Sequence, residues 1–212
     1  MMQPTALVST FIQRCLGVDM SRKTAHRRNS VRIIGGSLRN SKLDFPELPG
    51  LRPTADRTRE TLFNWIGNDV RGEYCLDLFA GSGALGMEAF SRGAAGVVFV
   101  EVNAAASAAI LQNVERLKLC NAEINCIDVC QWIDRQKNPL RQFGLVFLDP
   151  PFADNLVSKV CRQLANSQLL KTPCRIYVES GIPLGTEEMP AGWSMLKRKQ
   201  AGSVAYYLYI QE

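Results

Sequence analysis

From residue 74 onward, apolar runs of strand length alternate with stretches of helical period. The runs Tyr74–Phe79, Val97–Val102, Glu123–Ile127, Leu145–Leu148 and Arg175–Glu179 are near-continuously apolar, the pattern of strands buried on both faces of a parallel sheet. Between them the spacing predicts helices near Ala84–Arg92, Ala104–Leu117, Val129–Arg135 and Asn155–Ala165. Such alternation predicts an open, doubly wound α/β sheet. Met195–Lys199, a Gln200-Ala201-Gly202-Ser203 turn and Val204–Ile210 read instead as an antiparallel hairpin at the sheet's edge.

The amino-terminal part has another character. Residues 1–30 lack clear periodicity and read as an arm. Val31-Arg32-Ile33-Ile34-Gly35-Gly36 is a short β run ending in a turn signal, and Leu38 to Phe45 is its expected partner. Pro46, Pro49-Gly50 and Pro53 mark a loop. Thr54 has the position of an N-cap, Asp56 falls in the first turn, and Leu62, Phe63 and Ile66 share one helical face. The expected division is therefore an arm over 1–30, a small hairpin and loop extension over 31–53, and the main domain over 54–212.

Composition narrows the class. With 212 residues, 46% of them hydrophobic and 21% charged, the chain suits one soluble globular domain. No apolar run reaches the ~18 residues of a membrane span. Disorder, collagen and a small disulfide scaffold are excluded as well. The seven cysteines are odd in number, and several lie in apolar runs, as expected of reduced thiols in a cytoplasmic protein. There is no CxxC pair, and His26 is the only histidine, so no metal site is expected. Cys126 and Cys130 could ligate a metal, but read more simply as small core residues.

Charge is uneven. Residues 1–43 hold eight Lys and Arg residues against Asp19 alone, in a chain whose net charge is +5. A basic arm on a near-neutral body suits a polyanion partner, although a solvated tail would look the same. The first residues lack a signal-peptide pattern, because Arg14 follows the apolar stretch rather than leading it, and Met20 is an alternative start.

The chemistry concentrates in two motifs. Leu76-Asp77-Leu78-Phe79-Ala80-Gly81-Ser82-Gly83-Ala84-Leu85-Gly86 is a strand, a glycine turn and a helix start, and Glu101 ends the next strand. An acidic residue there can hold both ribose hydroxyls of an adenosine cofactor. Asp77 offers a carboxylate to the ammonium of S-adenosylmethionine and, being buried, needs a partner. The loop alone favours that methyl donor without excluding a dinucleotide. Leu145-Val146-Phe147-Leu148-Asp149-Pro150-Pro151-Phe152 ends a later strand. Its two prolines remove backbone donors. Asp149 and the Pro150 carbonyl then form an acceptor pair for the two hydrogens of a planar amine, beside the ring of Phe152. A capped turn with a core phenylalanine is the bland alternative.

Asp149-Pro150-Pro151-Phe152 resembles the (D/N)PP(Y/F) motif of class I methyltransferases that act on exocyclic or amide nitrogens, and Leu76–Gly86 resembles their first motif. With Val31–Gly36, Arg52-Pro53-Thr54-Ala55-Asp56-Arg57-Thr58-Arg59-Glu60 and Leu62-Phe63-Asn64, the chain from about Val31 onward resembles the RsmD family of bacterial 16S rRNA guanine-N2 methyltransferases, which modify guanine 966 in the RNA's own numbering. The resemblance implies a Rossmann-like sheet of seven strands with the last strand antiparallel. It implies S-adenosylmethionine as cofactor and the small ribosomal subunit, or its assembly intermediate, as partner of a monomeric enzyme. Asp77 and the Gly81-Ser82-Gly83 backbone would hold the methionine part, Glu101 the ribose, and Asp128 the adenine amine, unless Asp128 is only a helix cap. Asp149 and Pro150 would orient the target amine while Phe152 stacks on the base. Arg32 and Arg39 would face RNA, and Arg52, Thr54 and Arg57 would touch RNA or line the pocket, unless these last three are only a capped helix with surface arginines. Adenine N6 in nucleic acid, a protein glutamine amide, or RNA binding without catalysis remain alternatives on the motifs alone.

Overall fold

The computed structural model describes residues 28–51, 53–151 and 156–212. Most of the expected arm, and Arg52 and Phe152 among the expected site residues, lie outside them. The apolar runs become strands β3 (Tyr74–Leu78), β4 (Gly96–Val100), β5 (Ala122–Asn125), β6 (Phe143–Leu148) and β7 (Leu170–Ser180). The final hairpin is β8 (Trp193–Ala201) and β9 (Val204–Gln211). These seven strands form one sheet in the order β5-β4-β3-β6-β7-β9-β8, parallel from β5 to β7, with β9 antiparallel to both its neighbours. The edge expected of the hairpin therefore belongs to β8, and β9 is an inner strand.

Successive side chains of a strand face opposite sides of a sheet. Val146 and Leu148 enter one core with Trp132 and Ile133 of α4 (Val129–Arg135) and Val160 and Leu164 of α5 (Leu156–Ala165). Leu145 and Phe147 enter the other, with α1 (Asp56–Ile66), α2 (Ala84–Ser91) and α3 (Ala104–Arg116). Each fully buried side chain of this size contributes about 1.5–3 kcal/mol. The closeness of α2 to β4 requires glycine: a Cβ on Gly86 would lie 2.4 Å from the Phe99 ring.

The amino-terminal hairpin forms between β1 (Arg28–Arg32) and β2 (Lys42–Pro46), so β1 takes in the last three residues of the expected arm. Ile33–Gly36 and Leu38–Ser41, expected as strand, are connection and turn, and Asn40 adopts a left-handed φ of 67°. Ile33 and Leu43 are buried in the core formed by α1, α2 and α3. Asn113 of α3 fastens β2 by accepting from the Asp44 amide and donating to its carbonyl. Glu88 of α2 accepts from the Ile34 and Gly35 amides, both at 2.8 Å. Arg59, wholly buried in α1, donates to the carbonyls of Arg32 and Thr54 and faces Glu88. The hairpin is thereby docked on the sheet domain by buried polar contacts as well as apolar ones.

β7 begins five residues before its expected start. Pro173 and Lys171 mask the strand pattern there, and the pairing with β6 shifts from Phe143–Leu170 to Leu145–Arg175 across that stretch. Proline is tolerated in a strand at such an irregularity.

Candidate active site

Pairing register brings the functional strands' ends level. Leu78 lies beside Val100 and Leu148, and Leu148 beside Val178. Glu101, Asp149 and Glu179 each come next along their strands, so three carboxyl groups line one edge of the sheet, with Asp77 just below. The chain proceeds from β3 to β4 on one side and reaches β6 on the other. This is the switch point at which open α/β sheets bind ligands.

The glycine loop turns sharply after β3. Phe79 takes φ 63°, Gly81 φ 54° and Gly83 φ 73°, and Gly83 starts α2 as its left-handed N-cap. Buried Asp77 has its expected partner: its carboxylate accepts from the Gly86 amide at 2.8 Å, in the first turn of α2. Burial nonetheless holds the Asp77 carboxyl well above the usual range, against the Gly86 hydrogen bond and together with the charges of Asp149 and Glu101. Glu101 accepts from the Gly81 amide at 2.7 Å and from the Asn103 amide at 2.8 Å, which fixes its carboxylate against the loop. Ser82 is buried within that loop. Asp128 is exposed and caps α4, its Oδ1 accepting from the Gln131 amide at 3.0 Å.

The second half of the site differs from the sequence expectation in two ways. First, Thr54 is not the N-cap of α1. Ala55 occupies that position without a side-chain cap. The Thr54 hydroxyl reaches across the fold, 3.3 Å from Asp149 Oδ2 and 3.1 Å from Glu179 Oε1. Two carboxyl groups at the sheet's edge outcompete a local backbone amide as its partners. Second, Glu179, which had been read only as the end of a strand, is a site residue. It is buried, and the Tyr177 hydroxyl donates to it at 3.0 Å. Burial pushes the Glu179 carboxyl up, and the charge of Asp149 adds to this; burial also pushes Asp149 up, against its hydrogen bond to Thr54. An ionisable residue one position beyond a parallel strand's apolar core was the available signal.

Pro150 is buried behind Asp149. Arg57, on α1, is exposed, as are Arg32 and Arg39 on the hairpin. None of the three hydrogen-bonds or ion-pairs with the carboxyl group cluster. Of the six described cysteines, Cys75, Cys161 and Cys174 are buried, while Cys126 and Cys130 are only half-buried.

A seven-stranded sheet in this order, with one antiparallel strand next to the edge and a glycine turn facing an acidic strand end, defines the class I methyltransferase fold. The family model described as "Conserved hypothetical protein 95" matches residues 31–210. Ribosomal RNA small subunit methyltransferase D of Escherichia coli K12 is 43% identical over 182 residues, covering 86% of this chain and 90% of that protein. Its namesake in Haemophilus influenzae is 41% identical, covering 88% of this chain and 97% of that protein. The solved structure of yhhF from Escherichia coli superposes with a TM-score of 0.78 at 42% identity, over 87% of this chain and 99% of that one. The chain belongs to the RsmD family of methyltransferases.

Proposed function

We propose that the protein transfers a methyl group from S-adenosylmethionine to the exocyclic N2 amine of a guanine in 16S rRNA. The observation that carries this reading is the acidic strand edge. S-adenosylmethionine bears a sulfonium and an ammonium, and Asp77, Glu101 and Asp149 offer it acceptor oxygens and opposite charge. A dinucleotide's pyrophosphate would meet the same carboxyl groups. The Gly86 amide, one of the donors that a helix N-terminus gives to phosphate, is already taken by Asp77. The donor set thus fits the methyl donor, with Glu101 at the ribose, Asp128 at the adenine amine, and the Gly81-Ser82-Gly83 turn and Asp77 at the methionine part.

When bound, the cofactor supplies an electrophilic methyl on sulfur. The chain's own residues do the rest. Asp149 and the Pro150 carbonyl accept the two amine hydrogens, which favours a pyramidal nitrogen whose lone pair points away from the ring. Phe152 stacks on the base, which must leave its stack to reach the sheet's edge. Rate enhancement comes from alignment and fixed charge. Arg32, Arg39, Arg52 and Arg57, with the basic arm, contact the RNA backbone.

The test is methyl transfer from labelled S-adenosylmethionine to small-subunit RNA from cells lacking the gene, followed by nucleoside analysis. N2-methylguanosine is the expected product. Label in N6-methyladenosine, in protein, or nowhere overturns the assignment.

A further inference from the structure

We infer that Glu179 is a positioning residue that keeps its proton and, through the Thr54 hydroxyl, holds Asp149 as an ionised acceptor facing the substrate amine. The inference rests on the methyl-transfer reading above and deepens it. Its basis is a count of hydrogens. Thr54 Oγ1 lies within hydrogen-bond distance of one oxygen of Asp149 and one of Glu179, at 3.3 and 3.1 Å. A hydroxyl has one hydrogen, so it can donate to only one carboxylate. The second contact is a hydrogen bond only if the other carboxyl group is protonated and donates to Thr54.

The proton belongs on Glu179. Glu179 is 5% exposed, whereas Asp149 is half-buried at the mouth of the site. Burial and the charge of Asp149 both raise the Glu179 carboxyl. Thr54 lowers both carboxyl groups alike, so burial and the charge of Asp149 are what set Glu179 the higher of the two. The order of donation is then Tyr177 hydroxyl to Glu179, Glu179 to Thr54, and Thr54 to Asp149. Asp149 ends the chain as pure acceptor, with Oδ1 unengaged among the described residues.

The surrounding groups agree. On β7, the Tyr177 phenol is held protonated by burial and by Glu179. On β9, Tyr206 pairs opposite Glu179 and is likewise raised by burial, against a hydrogen bond from Thr58 of α1. On β3, the carboxyl of buried Asp77 is itself raised, by burial first and by the charge of Asp149 as well. Arg59 Nε, on α1, donates to the Thr54 carbonyl and to neither carboxyl group. Among the described residues no cation pairs with Asp149 or Glu179, so a proton is what relieves their repulsion.

Two measurements test this, one of them independent of activity. In carboxyl infrared spectra of the unliganded protein at pH 7, a protonated-carboxyl band is expected that disappears in Glu179→Gln and persists in Asp149→Asn. In pH profiles of single-turnover transfer, Glu179→Ala should lower kcat about tenfold, with KM for RNA and cofactor little changed. Glu179→Gln, whose amide NH2 can take over the donation to Thr54 but cannot at that same atom accept from Tyr177, should recover part of that loss and abolish the fall on the alkaline side. Thr54→Val should move the acid limb to higher pH, and Thr54→Ser should restore it. A band that follows Asp149 instead, or profiles of Glu179→Gln and Thr54→Val that match the unaltered protein, overturns the chain. A Glu179 band in a protein that transfers no methyl group supports the proton chain and overturns only the proposed function.

Discussion

Arg59 and Glu88 face each other 3.7 Å apart with both side chains fully buried, and between them they tie the hairpin to the sheet domain. Arg59 reaches the Arg32 carbonyl, and Glu88 receives the Ile34 and Gly35 amides and Arg92. Two buried charges attract strongly but lose much hydration, so their net worth is small, whereas removing one strands the other. Arg59→Met is therefore expected to destabilise the protein by about 3–5 kcal/mol. Urea unfolding checks this. Adding Glu88→Leu should recover only part of the loss, because the Ile34 and Gly35 amides would then lack an acceptor.

Asp149→Ala should lower single-turnover transfer by ~10²–10³ at saturating cofactor, the range for loss of one preorganised electrostatic partner. Asp149→Asn should be milder, since its amide oxygen still accepts one hydrogen bond. Circular dichroism confirms that both variants fold. Near-normal turnover by folded Asp149→Ala would reduce the Asp-Pro-Pro turn to a structural role.

Glu101→Ala should act through the cofactor instead. It removes the acceptor proposed for the ribose and also frees the Gly81 and Asn103 amides, which now shape the loop. Hydrogen bonds to charged groups contribute about 1.5–3 kcal/mol, so affinity for S-adenosylmethionine should fall ~10- to 100-fold by titration calorimetry. An unchanged affinity would detach Glu101 from the cofactor.

Glu179 also predicts a pH dependence of stability. Its carboxyl is pushed from 4.5 up to about 8 in the folded protein. Between those values the folded state holds a proton that the unfolded chain has released, so stability falls as pH rises. The contribution is full below 4.5 and gone above about 8. Unfolding free energies at pH 5 and pH 8.5 should differ less in Glu179→Gln than in the unaltered protein. Equal pH slopes in the two would place the titration elsewhere.

The alternation of strands and helices, the glycine turn and the position of Asp149 were legible because each is a local pattern. Burial on both faces writes continuous apolar runs, and a turn with positive φ at Gly81 and Gly83 calls for glycine. What escaped was set by tertiary neighbours. Thr54 has the local pattern of an N-cap, and only the folded sheet brings two carboxyl groups to it. Glu179 becomes a site residue because register sets β7 beside β6. Arg59 lies on the same helical face as Leu62, Phe63 and Ile66, but an arginine there gives no local sign of the Arg32 carbonyl and Glu88 that the fold brings to it. The first turns of β7 were hidden by Pro173, and the hairpin was read out of phase because Ile33 and Ile34 continue the apolar pattern past the strand end.

Helix α2 has a different occupant at each end. Gly83 opens it at the cofactor loop, and Glu88, near its close, grips the hairpin that carries Arg32 and Arg39. A shift of that short helix would alter both attachments at once. Any free energy that passes along it is reciprocal: if loading the methyl donor tightens the grip on RNA by some factor, RNA must tighten the grip on the donor by the same factor.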